Sequence, residues 1–190
     1  MWSEPVTVTA PASLPVSVAD AKTFIRVDHD DEDALISTLI GAAVSRAEGT
    51  TGTRFVAQDV TIAADGWSDL DQLPIGPVRS VASIIYEDSD GVDQTLAAER
   101  YEVFGAGLSQ GIRPVINDAF PDDARCIEGS ILVTMSVGYD SLPEGLIAAL
   151  LLMVGDLYAN RETVSKGAIA PRVMMSMQVE TLLNQHRFWL

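Results

Sequence analysis

The sequence predicts an α+β protein: a small bundle of about four helices, two N-terminal and two C-terminal, with an antiparallel β-subdomain inserted between them. Three observations predict it. Apolar residues recur at helical spacing over residues 35–47. Residues 54–139 break into short β-branched or aromatic runs bounded by Gly, Pro and Asp. Residues 146–158 then return to a helical and unusually apolar pattern. At 190 residues and 47% apolar content, the chain reads as a single domain over residues 1–190, with an elaboration and a core that needs no disulfide.

Residues 1–16 form a Pro-punctuated arm, and residues 17–52 form a helical hairpin. Its first helix is expected at residues 18–26, opened by Ser17 as N-cap with Asp20 at the third helical position, a capping-box variant. After the acidic stretch "DHDDED", the residues Leu35, Ile36, Leu39, Ile40, Ala43, Val44 and Ala47 make the stripe of a second helix, which Gly49 and Gly52 end. Residues 53–140 are the β-subdomain, with strands expected in "RFVAQDVTIAAD", "VRSVASIIYED", "QTLAAERYEVF" and "SILVTMSVGY". In the last of these, Ile131, Val133, Met135 and Val137 face one way and Leu132, Thr134 and Ser136 the other. Asp90-Gly91 is a hairpin turn signal.

Pro143 starts a long helix expected over residues 143–166. Leu146, Ile147, Leu150, Leu151, Val154, Leu157 and Tyr158 cover one face. Ala148, Ala149, Leu152 and Met153 make the other face apolar too, so the helix needs cover on more than one side. A second subunit can supply that cover, which makes these four the expected subunit interface. Residues 167–190 are a C-terminal segment, a Gly/Ala/Pro loop followed by a short helix in "SMQVETLLNQHRF".

Charge narrows the function. Twelve basic against 27 acidic side chains leave a net charge of -15, concentrated in the first 160 residues because residues 161–190 carry four basic and two acidic groups. Such a body repels nucleic acid and anionic lipid, whose binding depends on Lys and Arg. The single Cys126 excludes an internal disulfide and a multi-cysteine zinc site, and fits a reducing compartment. The first fifteen residues show no basic n-region or apolar h-region of a secretion signal, and the longest apolar run, residues 146–154, is far short of the ~20 residues a membrane span needs.

The candidate chemistry is sparse. Asp28, His29, Asp30, Asp31, Glu32 and Asp33 are a possible ligand cluster, but the calcium-loop pattern of a sixth-position glycine and a distal Glu is missing. Carboxylates at a helix N-terminus accept free backbone N–H groups and complement the dipole. Asp30 or Asp31 is therefore the expected N-cap of the second helix, with His29 an exposed turn residue. "EDSDG" reads as a hairpin tip. Cys126 would need His29 or His186 beside it to act as a nucleophile, and its acidic neighbours raise a thiol pKa. No G-x-S-x-G elbow is present, and the Gly-rich "FGAGLSQG" leads into the strand-like "IRPVIN", not the helix a phosphate loop requires. No cofactor or metal site is expected. "RVMMSMQV" suits either an adaptable binding surface or core filling, and Arg187, Phe188, Trp189 and Leu190 have interface composition.

Taken together, "PVSVADAKTFIRVDHDDEDALISTLIGAAVSRAEGTTGTRF", "LPIGPVRSVASIIYEDSDG" and "ILVTMSVGYDSLPEGLIAALLLMVGDLYANRETVSKG" resemble the head-tail connector (adaptor) family of tailed bacteriophages and gene transfer agents. The order and spacing of the helix–acidic turn–helix opening, the "TGTRF" close, the "VGY" to "LP" lead and the "YANRE" end carry the resemblance. It implies a non-enzymatic structural protein made in the bacterial cytoplasm and placed at the head-tail junction of the particle. Such adaptors form a ring, usually of twelve subunits, beneath the portal protein, and join it to a stopper (head-closure) or tail protein while DNA passes through the lumen. The C-terminal segment commonly docks on the portal, which points to Arg172, Met174, Met175, Arg187, Phe188, Trp189 and Leu190. An acidic ring repels itself, so a monomer or weak oligomer is expected for the isolated chain at low salt. Another connector component, a stopper or tail-completion protein, is the alternative, followed by a small metal-dependent enzyme using the Asp28 to Asp33 cluster.

Overall fold

The computed structural model describes residues 1–160 and 176–188. The elements are β1 (Val6–Thr9), α1 (Val18–Ile25), α2 (Asp33–Thr51), β2 (Gln58–Ala64), β3 (Val78–Glu87), β4 (Asp93–Leu96), β5 (Tyr101–Ala106), β6 (Ser109–Pro114), β7 (Ile131–Val137), α3 (Glu144–Ala159) and α4 (Met177–Asn184). Two short 3-10 turns, Trp67–Asp71 and Ala98–Arg100, interrupt the β-region. This is the expected α+β arrangement, with two helices before the sheet region and two after it. Contacts divide the chain into two compact units: a sheet unit of Met1–Ala12, Gly52–Asp140 and Phe188–Leu190, and a helical unit of Ser13–Thr51 and Ser141–Arg187.

In the sheet unit five antiparallel strands lie in the order β1-β2-β7-β3-β4. The alternation in "ILVTMSV" explains why β7 is central. Ile131, Val133, Met135 and Val137 are all fully buried, so one whole face of the strand is core. On one side it meets Val60, Ile62 and Ala64 of β2, on the other Ile84 and Tyr86 of β3. Leu70, Leu73 and Ile75 from the β2–β3 connection and Ile112 from β6 complete this core.

Two features of the sheet unit differ from the sequence reading. Residues 6–9 of the arm form the edge strand β1, with Val6 opposite Thr61 and Thr7 opposite Val60; alternating Val and Thr favour an extended chain, and the flanking Pro5 and Pro11 are tolerated beside an edge. "QTLAAERYEVF" is not one strand. Its Ala-Ala-Glu centre has poor strand propensity, so β4 stops at Leu96 and β5 restarts after a 3-10 turn in a separate β5–β6 hairpin. "FGAGLSQG" is the tip of that hairpin, with Gly105 and Gly107 at positive φ.

Asp90-Gly91 does turn β3 into β4. Gly91 adopts φ 78°, and Asp88 Oδ1 accepts the N–H groups of Asp90 and Val92 at 3.0 and 2.9 Å. Gly138, of the "VGY" motif, adopts φ 116°, and a Cβ there would stand 2.4 Å from the Val56 carbonyl oxygen. No side chain fits between the end of β7 and the chain leading into β2.

In the helical unit, Ser17 Oγ accepts the Asp20 N–H at 3.0 Å and donates to Asp20 Oδ2 at 2.6 Å. The helix stops one residue earlier than expected, because Arg26 takes a left-handed φ of 60°. α2 runs on through Gly49 to Thr51, and Gly52 at φ 71° ends it. Ile36, Ile40, Ala43 and Ala47 are fully buried along one stripe of α2. α3 packs on α1, α2 and α4. Phe24 of α1 stands over Gly155, Leu182 and His186 lie over Gly145, and Val179 and Leu183 of α4 are fully buried. Leu146, Ala149, Leu150, Met153 and Val154 of the doubly apolar helix are thus covered from within its own chain, while Ala148 stays exposed and Ile147, Leu151 and Leu152 half-exposed. Helix α3 ends at Ala159; residues 161–166 of the expected long helix lie outside the described residues.

Two substitutions test this packing. Met135→Ala, which empties the sheet core at its central strand, should lower unfolding free energy by ~2–5 kcal/mol in urea titrations. Gly138→Ala should cost about 1–3 kcal/mol or more by the same measurement, although it adds only a methyl group, because it meets fixed backbone and a positive φ together.

Candidate functional site

The acidic stretch is the first place to look for chemistry. Helix α2 opens at Asp33, with the Glu32 carbonyl accepting the Ile36 N–H at 2.9 Å and the Asp30 carbonyl accepting the Asp33 N–H at 3.2 Å. The helix therefore begins beyond Asp30 and Asp31, the two residues expected to cap it. The side chain of Asp30 is drawn away by a cation: Lys22 Nζ donates to Asp30 Oδ1 at 2.5 Å and to Asp33 Oδ1 at 2.8 Å. The hydrogen bond from Lys22, reinforced by its charge, holds the Asp30 carboxyl below the usual range, and the same pair raises Lys22. Tyr158 Oη donates to Glu32 Oε2, which ties the "YANRE" end of α3 to the acidic turn. His29 is half-exposed beside the fully exposed Asp31. Among the described residues, no three His, Cys, Asp or Glu side chains form a metal-binding group. The chemistry of this turn is ion pairing between helix ends.

The second place is the long β6–β7 connection, residues 115–130. The Arg100 guanidinium grips Asp118 with two parallel bonds, Nε to Oδ2 at 3.0 Å and Nη2 to Oδ1 at 2.9 Å, and Nη2 also reaches the Ala119 carbonyl at 2.8 Å. Trp67 stacks on Phe120, with centroids 4.6 Å apart, and donates Nε1–H to the Pro121 carbonyl at 2.9 Å. Arg125 pairs with Glu87 on β3. These contacts fix a loop that would otherwise be too long to hold one conformation. Cys126 is exposed on it, and His29 and His186 belong to the helical unit. A shallow groove of 630 Å³ lies in the sheet unit between Met1 to Ser3, Ala63, Asp65, Glu128 and Gly129. The Met1 ammonium reaches Asp65 at 2.9 Å and Asp69 at 2.8 Å. No helix among the described residues is long and apolar enough to cross a membrane.

The expected contact residues fall in different settings. Ala149 and Met153 are buried in the helical unit, so neither is available to a second subunit; Ala148 is exposed and Leu152 half-exposed. Phe188 is half-buried, its Cβ 3.3 Å from where a Cβ on Gly52 would stand, while Arg187 is exposed. Arg172, Met174, Met175, Trp189 and Leu190 lie outside the described residues.

The acidic turn, the "TGTRF" helix end and the β3–β4 hairpin all fall within residues 15–119, more than half of the chain, which match the family of phage gp6-like head-tail connector proteins. The chain belongs to this family. Its likeness in fold extends further than the matched residues. The connector superposes with a TM-score of 0.77 on a chain of the neck of an empty gene transfer agent (GTA) particle computed with C6 symmetry, at 22% identity over 99% of this chain and 97% of that one. It superposes at 0.76 on a chain of the virion of a native gene transfer agent particle, 23% identical over 99% and 97%. It superposes at 0.73 on a chain of the neck of a native particle computed with C12 symmetry, 21% identical over the same shares. No curated protein matches the connector in sequence.

Arg100 gives the connector a specific acid response. Its hydrogen bonds, with the Ala119 N–H, hold the Asp118 carboxyl down at about 2. A folded pKa below the unfolded value of about 3.9 contributes stability above that value, which is lost as pH falls through the folded pKa. The melting temperature should therefore drop between about pH 4 and pH 2. Asp118→Asn should be less stable at neutral pH and show a flatter profile in that window, as followed by tryptophan fluorescence.

Proposed function

We propose that this protein is the adaptor subunit of a tailed particle, a structural part without catalytic activity. In this reading it forms a ring beneath the portal protein at the head-tail junction and joins it to a stopper or tail protein. The observation that carries the reading is the pairing of the family match with a fold shared over 99% of the chain with a gene transfer agent neck subunit. Twelve subunits is the number favoured by the C12 symmetry of one such neck.

The electrostatics suit the task. A ring of subunits each carrying a net charge of -15 surrounds its lumen with a field that offers DNA no cationic grip, so the genome slides through without sticking. Of the four residues expected at the subunit interface, Ala148 and Leu152 are the two left accessible to a neighbouring subunit. The C-terminal end, with Arg172, Met174, Met175, Arg187, Phe188, Trp189 and Leu190, is assigned to the portal, as its aromatic and Arg content suits a contact that buries its anchors.

Particles lacking this protein should accumulate as DNA-filled heads without tails, and the full chain should restore joining. A chain without residues 187–190 should keep its circular dichroism and melting curve yet fail to bind portal in pull-down and fail to restore joining. Normal joining by the truncated chain would remove the docking assignment. Tailed particles formed without the protein would remove the adaptor reading itself.

A further inference from the structure

The open face of the five-stranded sheet carries an uncharged strip in a strongly acidic unit. Across two adjacent rows of the ladder there is no charged side chain. One row runs Val6, Thr61, Thr134 and Ser83 over β1, β2, β7 and β3. The next runs Ala63, Leu132, Ile85 and Thr95 over β2, β7, β3 and β4. Val6 is 65% and Leu132 40% exposed, and Thr61 and Thr134 satisfy each other's hydroxyls at 2.8 Å. The charges stop at the borders of these rows, at Asp59 on one end and the Glu87–Arg125 pair on the other. The first row ends at β1, an edge strand of Val and Thr with none of the charged residues that normally blunt an exposed edge.

The surrounding unit makes this absence informative. Met1–Ala12 and Gly52–Asp140 hold sixteen Asp and Glu against five Arg and no Lys. A basic partner would be served by carboxylates here, and the face has none in these rows. A partner as acidic as the chain itself can approach only where both sides are free of charge, because like charges brought together and desolvated cost more than the contact returns. We propose that these two rows are the contact surface for a second copy of this chain, met by a different patch of that copy, as a closed ring requires. The choice of occupant rests on the ring reading above. Ser83 and Thr95 supply hydroxyls for hydrogen bonds at small entropic cost, and Leu132, Ile85 and Val6 supply the apolar area.

The test uses the full chain and three variants in sedimentation velocity, from low salt to about 0.5 M salt, where charge repulsion is screened. Wild type should associate as salt rises. Leu132→Asp and Val6→Asp should each weaken that association at least about tenfold while leaving the circular dichroism unchanged, since each places an unpaired charge in the contact. Ile116→Asp, at an 87% exposed loop position outside the two rows, should associate like wild type. Wild-type association by both Leu132→Asp and Val6→Asp would overturn the surface. An absence of wild-type association at every salt concentration would overturn a second copy as the occupant. Either result leaves the adaptor reading to be decided by whether heads and tails join.

Discussion

Strand β7 is the last strand of the sheet in sequence and its centre in space, and the sheet unit depends on its two pairings. Before β7 docks, β2 and β3 have no common neighbour, and the core side chains of each face only one partner. Its four inward residues then close the core from both sides at once. The connection leading to it is long, and Arg100, Trp67 and Glu87 fasten that connection at successive points, so the cost of ordering it is offset by charge-assisted bonds and aromatic stacking.

The helical unit solves a different problem, because its parts come from the two ends of the chain. Apolar burial along α2 and α3 holds it together, but apolar stripes alone tolerate sliding. The polar contacts fix the register. Lys22 between two carboxylates sets the angle of α1 to the start of α2, and the tyrosine of α3 on Glu32 sets the height of α3 against the same turn. The residues that first invited a catalytic reading are thus where three helix ends are pinned.

Much of this was legible in the sequence wherever a local rule decided the outcome. The alternation of β7, the Asp90-Gly91 turn and the Ser17 box each depend on a few neighbouring residues, and each stands where the residues put it. What was not legible was decided over longer distances. Five carboxylates in six positions compete for one cap, and the outcome turned on Lys22, a full helix away. A four-residue run between prolines reads as an arm until β2 is there to pair with it. Periodicity reported that α3 needed cover on several sides, but it could not say that α4 of the same chain would supply cover, leaving Ala149 and Met153 unavailable to a neighbour. The portal-docking assignment stands on the composition of the C-terminal end, since five of its seven residues lie outside the described structure.

The glycine of the "VGY" motif has one more consequence. Because Gly138 lies against Val56, and Gln58 pairs with Val137, the stretch of chain that interrupts the helical unit leaves and returns at nearly the same point. To the helices, an insertion of more than eighty residues is topologically a hairpin loop. Once the sheet has formed, the entropy of bringing α2 and α3 together is that of closing a few residues, a saving of roughly 2–3 kcal/mol over a disordered stretch of the same length. An assembly protein can then vary its inserted module extensively without loosening the bundle that carries it.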